Sequence, residues 1–230
     1  MKYKIAIFDL DGTLLDTLQD LANSTNFALS SFGYPERSVE EVRSFVGNGI
    51  EKLIERAAPQ GITPHERACV LTVFKAHYAE HCEDHTAPYT GIIEVLDRLK
   101  EKGIKIAVVS NKIDFAVKSL CEKYFGDRIA IAVGEREGIR RKPCPDSVLE
   151  VLHEADVAPF EAVYIGDSEV DIQTARNAGT DIITVTWGFR DREFLLRSGA
   201  SVFAESVKSL DDLLLSESAR KSKKTLDKFQ

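Results

Sequence analysis

The apolar positions of this chain follow two patterns, one typical of buried strands and one typical of helices. Short, continuously apolar runs occur near the amino terminus and return only after residue 100. Such runs favour strands that are covered on both faces of a sheet. We predict strands at residues 5–8, 104–109, 129–133, 162–166, 181–186 and 201–203.

Between the first strand and about residue 84, the apolar residues recur at helical spacing and no strand-like run appears. Leu18, Leu21 and Leu29 share one helical face, and Asp16 is placed to cap that helix at its start. The pattern predicts an all-helical insertion over residues 16–85.

From residue 92 onward, helical and strand patterns alternate, which indicates a parallel sheet with helices on both faces. The chain is therefore predicted to be α/β. We expect a core formed by residues 1–15 and 86–215, and a charged, frayed tail at 216–230. Helices are predicted at residues 91–102, 112–124, 145–155, 169–178 and 206–215.

Composition narrows the class of protein. The chain has 230 residues, of which 43% are hydrophobic, and its net charge is -7. An acidic balance argues against a nucleic-acid scaffold, which needs a basic face. No apolar run reaches the length of a membrane span, and the first strand begins too early to leave room for a signal peptide. We expect a cytoplasmic protein without a membrane or nucleic-acid partner.

Polar residues follow three of the predicted strands directly. Asp9 and Asp11 follow the first strand, Ser110 and Asn111 follow the second, and Asp167 follows the strand at 162–166. Paired carboxylates at the end of a buried strand cost desolvation and repulsion unless a cation or a reaction uses them. The carboxyl ends of parallel strands form one ligand-binding edge. An ordinary Asp-Gly turn is the alternative explanation of the first pair.

A basic cluster precedes the predicted helix at 145–155, with Lys142 directly before Pro143. In order, the chain therefore carries Asp9-Leu10-Asp11-Gly12-Thr13, Ser110-Asn111, Lys142 and Gly166-Asp167 with Asp171. This order resembles the haloacid dehalogenase superfamily of Mg²⁺-dependent phosphohydrolases. The resemblance implies a Rossmann-like parallel sheet core with an inserted all-helical cap.

The resemblance also implies roles for the acidic residues. Asp9 is expected to be the nucleophile that forms an aspartyl-phosphate, and Asp11 the general acid and base. The dehalogenases of this superfamily lack the second aspartate, so Asp11 favours phosphate chemistry. Mg²⁺ is expected on Asp9, the backbone carbonyl of Asp11 and Asp167, with Asp171 orienting metal-bound water or Lys142.

Phosphate oxygens are expected to meet the hydroxyl of Ser110, the backbone N–H of Asn111 and the ammonium of Lys142. Arg140 and Arg141 are more typical of a solvated pair, and Cys144 lies beside Lys142. Whether these three residues have a role stays open.

Within the superfamily, residues 9–17 and the segment Val46-Gly47-Asn48-Gly49 look most like the phosphoglycolate phosphatase group. In that group the glycine-rich segment approaches the active site, so Gly47, Asn48 and Gly49 are candidates for reading the substrate. A plain turn between helices explains them equally well.

The expected function is hydrolysis of a small phosphomonoester, with 2-phosphoglycolate as the best single substrate. Pyrophosphate, a nucleotide, a sugar phosphate and transfer by a sugar-phosphate mutase remain alternatives. A non-catalytic binding protein on the same fold is the alternative of a different class. The chain is expected to be a monomer or a dimer.

Two further patterns are not explained by this chemistry. His77, Glu80 and His81 match an HxxEH zinc pattern, although a solvated helical face is the favoured interpretation. Trp187-Gly188-Phe189-Arg190 follows a strand and fits either a ligand loop or a packed turn.

Overall fold

The computed structural model describes residues 2–215, so the tail predicted at 216–230 lies outside the described residues. A six-stranded sheet is at its centre, with the strand order β5-β4-β1-β6-β7-β8 and every neighbouring pair parallel. The prediction of an α/β fold is confirmed. The strands are β1 (Ile5–Phe8), β2 (Leu15–Asp16), β3 (Ala87–Pro88), β4 (Lys105–Ile113), β5 (Ile131–Glu135), β6 (Ala162–Gly166), β7 (Asp181–Val185) and β8 (Phe203–Ala204).

Strand β1 lies between β4 and β6, with Phe8 opposite Val108 on one side and Ile165 on the other. These are the three strands whose ends carry the polar motifs. The chain therefore brings these three motifs to one edge, at the point where the strand order changes direction.

Helices cover both faces of the sheet. Successive residues of each central strand point to opposite faces, so Phe8 packs in one apolar cluster and Ile7 in the other. Burial on both sides explains the continuous apolar runs of the sequence. The helices are α1 (Leu18–Ser30), α2 (Val39–Phe45), α3 (Ile50–Ala57), α4 (Pro64–His81), α5 (Ile92–Glu101), α6 (Asp114–Phe125), α7 (Asp146–Ala155), α8 (Glu169–Ala178), α9 (Arg192–Arg197) and α10 (Val207–Leu215).

Helices α1–α4 form the cap and pack around a cluster of their own that includes Leu29, Ile54 and Phe74. The two connections to the core pair as a short antiparallel ladder, β2 with β3, in which Asp16 lies opposite Ala87. We propose domain boundaries at 16–85, next to this ladder.

Some local predictions differ from the structure. Strand β4 continues to Ile113, after a shift of register, where the sequence predicted a helix from Lys112. Asp16 belongs to β2, and α1 begins one residue after Thr17. The short helix α9, whose first turn is capped by Asp191, was not predicted. Among residues 2–215, no helix is both long enough and apolar enough to cross a membrane.

Candidate active site

A cavity lies between the carboxyl edge of the sheet and the cap. The residues of the sequence motifs that line it from the core are Asp9, Asp11, Ser110, Asn111, Lys142 and Asp167. From the cap it is lined by Gly47 and Gly49 but not by Asn48. Asp171 does not line the cavity, and it is fully buried.

Asp9 extends directly from β1, and its backbone N–H donates to the carbonyl of Ile165 at 2.8 Å. Its Oδ1 lies 2.9 Å from the ammonium of Lys142, as an ion pair that is not aligned as a hydrogen bond. Burial raises the pKa of Asp9 to about 7, with Asp171 and Asp11 acting in the same direction and Lys142 opposing them. The carboxylate of Asp9 therefore needs more positive charge than Lys142 supplies.

Asp167 follows β6 and is held by two donors. The hydroxyl of Thr13 donates to its Oδ1 at 3.2 Å, and the backbone N–H of Phe189 donates to its Oδ2 at 2.7 Å. Burial, followed by repulsion from the neighbouring aspartates, raises its pKa to about 8. Gly188 is required here because a Cβ at this position would lie 2.4 Å from Asp167 Oδ2.

Lys142 is buried and has three partners. Its ammonium lies 2.9 Å from Asp9, 2.8 Å from Asp171 Oδ1 and 3.0 Å from the Tyr164 hydroxyl. Burial alone would lower the pKa of Lys142, but the two carboxylates raise it well above its ordinary value. The other oxygen of Asp171 accepts the hydroxyl hydrogen of Ser168 at 2.6 Å. Asp171 thus contacts Lys142, which is one of the two roles that the resemblance left open for it.

Asn111 contacts the backbone of Lys142. Its side chain donates to the Lys142 carbonyl at 3.1 Å and accepts from the Lys142 N–H at 2.9 Å. This pair fixes the loop before Pro143 against the end of β4. The hydroxyl of Ser110 accepts the N–H of Lys112 at 3.3 Å.

Lys112 is a site residue that the sequence reasoning missed. Its ammonium donates to Asp11 Oδ1 at 3.1 Å and to the Tyr78 hydroxyl at 2.5 Å, and it lines the cavity. Burial would lower the pKa of Lys112, but Asp11 and Tyr78 raise it above the ordinary value. Its position directly after Ser110-Asn111 could have identified Lys112 as a site residue. The sequence analysis instead placed Lys112 in a predicted helix at residues 112–124.

The carboxylate oxygens of the site are suitable ligands for a hard divalent cation. Asp9, Asp167 and Asp171 each offer a carboxylate oxygen, and these oxygens lie within 4.8 Å of one another. All three are buried, and Asp9 Oδ1 accepts no aligned hydrogen bond. Asp171 accepts hydrogen bonds from Lys142 and Ser168 and does not line the cavity, whereas Asp9 and Asp167 do line it, so these two carboxylates are the ones placed to meet a metal ion such as Mg²⁺.

The HxxEH residues do not form a comparable group among residues 2–215. His77 Nδ1 lies 3.0 Å from the Ser24 hydroxyl, and His81 Nδ1 lies 2.8 Å from Asp84. The two imidazole rings stack on each other, with 4.2 Å between their centroids. Each imidazole ring thus has a hydrogen-bond partner within the cap.

The two arginines of the basic cluster, Arg140 and Arg141, do not line this cavity. Arg140 is exposed and pairs with Asp146 at 2.8 Å. Arg141 lies 3.6 Å from both Glu51 and Glu135, so it bridges cap and core at the surface. Cys144 is a half-buried free thiol.

Comparison with known proteins supports the same chemistry. The family model "Haloacid dehalogenase-like hydrolase" matches residues 6–185. Phosphoglycolate phosphatase of Vibrio parahaemolyticus is 34% identical over 218 residues, 90% of this chain and 94% of that protein. Phosphoglycolate phosphatase 1 of Pseudomonas aeruginosa is 30% identical over 213 residues, 90% of this chain and 78% of that protein.

Solved structures agree. The crystal structure of a phosphoglycolate phosphatase candidate from Lactobacillus delbrueckii subsp. bulgaricus has a TM-score of 0.90 and 40% sequence identity. The match covers 94% of this chain and 100% of that one. The relationship therefore extends over both the core and the cap.

Proposed function

The chain belongs to the haloacid dehalogenase-like hydrolase family, and on this basis we propose that it hydrolyses 2-phosphoglycolate with Mg²⁺ as cofactor. Its relatives show that it is a phosphatase acting on a small phosphorylated substrate. The observation that carries the proposal is that Asp9, Asp11, Lys142 and Asp167 meet in one cavity beneath the cap.

In the first step a carboxylate oxygen of Asp9 attacks phosphorus. The new bond joins Asp9 to the phosphoryl group, and the bond from phosphorus to the glycolate oxygen breaks. Asp11 gives its proton to the departing alkoxide. In the second step Asp11 takes a proton from water, which attacks phosphorus and releases phosphate from Asp9. General acid–base assistance of this kind contributes about 10²–10⁴ in rate.

Positive charge and donors surround the transferred group. Lys142 and Ser110 line the cavity next to Asp9 and are the proposed contacts of the phosphoryl oxygens. Asp9, Asp167 and the backbone carbonyl of Asp11 would hold Mg²⁺, which supplies the charge that lets a carboxylate approach an anionic phosphoryl group.

The cap closes the cavity from above with apolar and side-chain-poor positions. Leu21, Ile50 and Leu53 line it together with Gly47 and Gly49. Such a lining excludes bulk water while the phosphoryl group is transferred, and it leaves room for a small leaving group only. This supports a small phosphomonoester rather than a macromolecular substrate.

The test is phosphate release from a panel of small phosphomonoesters and pyrophosphate, with and without Mg²⁺, using Asp9→Asn as the control. We expect one ester, 2-phosphoglycolate, to be turned over well ahead of the others, and only when Mg²⁺ is present. A nucleotide, a sugar phosphate or pyrophosphate in first place would overturn the substrate while leaving the reaction intact.

Absence of phosphate release would overturn the hydrolase proposal. Transfer of the phosphoryl group to a sugar acceptor would then indicate a mutase, and no transfer at all would indicate a binding protein. The cytoplasmic location, the monomeric or dimeric state and the lack of nucleic-acid or membrane partners remain predictions.

A further inference from the structure

The segment at residues 187–190 begins two residues after Val185, the last residue of β7. It contacts the loop after β1 and Asp167, a residue of the candidate metal site. The indole N–H of Trp187 donates to the carbonyl of Thr13 at 3.2 Å. The backbone N–H of Phe189 donates to Asp167. The proposed mechanism gives this segment no chemical step.

The same segment is hydrogen-bonded to the cap by two arginines, one from the segment and one from the cap. Arg190 donates from Nη2 to the carbonyl of Val46 at 2.6 Å and from Nη1 to the carbonyl of Arg43 at 3.2 Å. In the opposite direction, Arg43 of α2 donates to the carbonyl of Gly188 at 2.6 Å. The Nε of Arg190 is held by Glu169 at 3.0 Å. All three nitrogens of the Arg190 guanidinium therefore have protein partners.

The cap segment held in this way is the glycine-rich turn over the cavity. A Cβ on Gly47 would lie 3.0 Å from Arg190 Nη2, and the φ of Gly47 is +122°. Only glycine accommodates that conformation together with so close a guanidinium. Val46, Gly47 and Gly49 all line the cavity. The position of Arg190 thus determines where these three cap residues lie over the cavity.

We propose that Arg190 is a positioning residue that holds the turn at residues 46–49 over the active site. This contact between Arg190 and the turn is called the latch. Arg190 lines the cavity, but its three guanidinium nitrogens are engaged by Glu169 and by two backbone carbonyls of the cap, so it acts on the reaction through the cap. Because Phe189 N–H and the Arg190 guanidinium belong to one short segment, closure of the cap and placement of Asp167 depend on the same backbone. The consequence for the reaction rests on the proposed function, since it concerns which phosphomonoesters need the closed cap.

The leaving group distinguishes reactions that need the closed cap from those that do not. Alkyl esters such as 2-phosphoglycolate and ethyl phosphate need a protonated leaving group in a sheltered cavity. In 4-nitrophenyl phosphate the leaving group departs without protonation, so its cleavage relies less on closure. Ethyl phosphate also lacks the carboxylate of 2-phosphoglycolate, so it reports on closure separately from any contact with that carboxylate.

The experiment compares Arg190→Gln and Arg190→Lys with Arg192→Gln as the matched control. Arg192 lies two residues away, is exposed, and pairs with Glu205 at 3.3 Å. We expect both Arg190 variants to lower kcat/KM for the two alkyl esters by the same factor, about 10- to 100-fold. The rate with 4-nitrophenyl phosphate should stay within about threefold of wild type. Hydrogen–deuterium exchange at residues 44–50 should accelerate, and Arg192→Gln should behave as wild type.

A double-mutant cycle supplies an independent readout. Arg43→Gln should reproduce the kinetic pattern, and combining it with Arg190→Gln should cost much less than the two effects multiplied, because both arginines join the same two segments. A residue that only stabilises the fold would lower activity on all three substrates together.

Three results would overturn the latch. One is exchange at residues 44–50 that is unchanged in Arg190→Gln. Another is a loss confined to 2-phosphoglycolate, which would mean direct contact with its carboxylate. The third is an equal loss on aryl and alkyl esters in both Arg190 variants. Failure of the wild type on 2-phosphoglycolate would instead reject the proposed substrate, and the exchange measurement would still decide on the latch.

Discussion

Lys112 of the core donates a hydrogen bond to Tyr78 of the cap, with 2.5 Å between the ammonium nitrogen and the phenol oxygen. The same ammonium holds Asp11 at 3.1 Å. Both Lys112 and Tyr78 are at least nine-tenths buried. The proposed general acid is therefore connected to cap helix α4 through one lysine.

Replacing Tyr78 by Phe should weaken this connection without removing the ring that packs over the ammonium at 4.7 Å. A hydrogen bond to a charged group contributes about 1.5–3 kcal/mol, so kcat/KM for the preferred alkyl ester should fall at least about tenfold. Steady-state kinetics check the prediction. Tyr34→Phe, a cap variant outside the cavity lining, should have no effect. Equal kinetics for the two variants would contradict it.

Replacing Lys142 by Ala should weaken phosphate binding and turnover together. The substitution leaves Asp9 and Asp171 without their shared cation, and loss of one such electrostatic group costs about 10²–10³ in rate. Inhibition by inorganic phosphate should weaken in parallel with kcat. Arg140→Ala removes an exposed cation from the same basic cluster and should change neither quantity. Unchanged kinetics in Lys142→Ala would assign the role to Arg140 or Arg141.

Mg²⁺ should stabilise the protein more as pH rises. In the metal-free fold the pKa of Asp9 is raised to about 7 and that of Asp167 to about 8, mainly by burial, whereas unfolded aspartates release their protons near about pH 4. The folded state therefore binds more protons than the unfolded state between about pH 4 and pH 8, so the metal-free stability falls as pH rises.

Mg²⁺ binds the ionised carboxylates, so its stabilising effect grows across this pH range. The increase in Tm caused by Mg²⁺ should be small near about pH 5 and largest near about pH 8. Thermal unfolding of the wild type with and without Mg²⁺ measures this increase. Asp167→Asn is the control, and its Tm should respond little to Mg²⁺ at any pH. A Tm increase that does not depend on pH in the wild type would contradict the linkage.

The sequence predicted the parts of the site that follow strands. Asp9, Ser110 and Asp167 could be placed together because each ends a buried apolar run, and the carboxyl ends of parallel strands share an edge. Asp11 follows the same strand as Asp9, and the family resemblance then singled out Lys142. Together they account for much of the cavity lining that the core supplies.

The parts that escaped prediction depend on contacts between distant segments. Lys112 reaches Tyr78, and Arg190 reaches Val46, and no local spacing encodes either pair. The ladder of β2 and β3 is only two residues long on each side, too short for an alternating pattern to be visible. What the sequence left open is the way the cap sits on the core.

The connection between cap and core is also held by Asp20, whose substitution tests the ladder. Its buried carboxylate accepts hydrogen bonds from the backbone N–H groups of His85 and Thr86 and from the Thr86 hydroxyl, at 2.8–3.1 Å. Asp20→Asn keeps the shape but turns an amide NH₂ toward these donors. We expect the free energy of unfolding to fall by about 2 kcal/mol, which corresponds to a decrease of about 4–8 °C in Tm, measured by thermal unfolding.

Asp84→Asn is the control for this prediction. The exposed carboxylate of Asp84 pairs only with His81 among residues 2–215, so this variant should lower Tm far less. Equal losses in the two variants would show that Asp20 does not anchor the second connection.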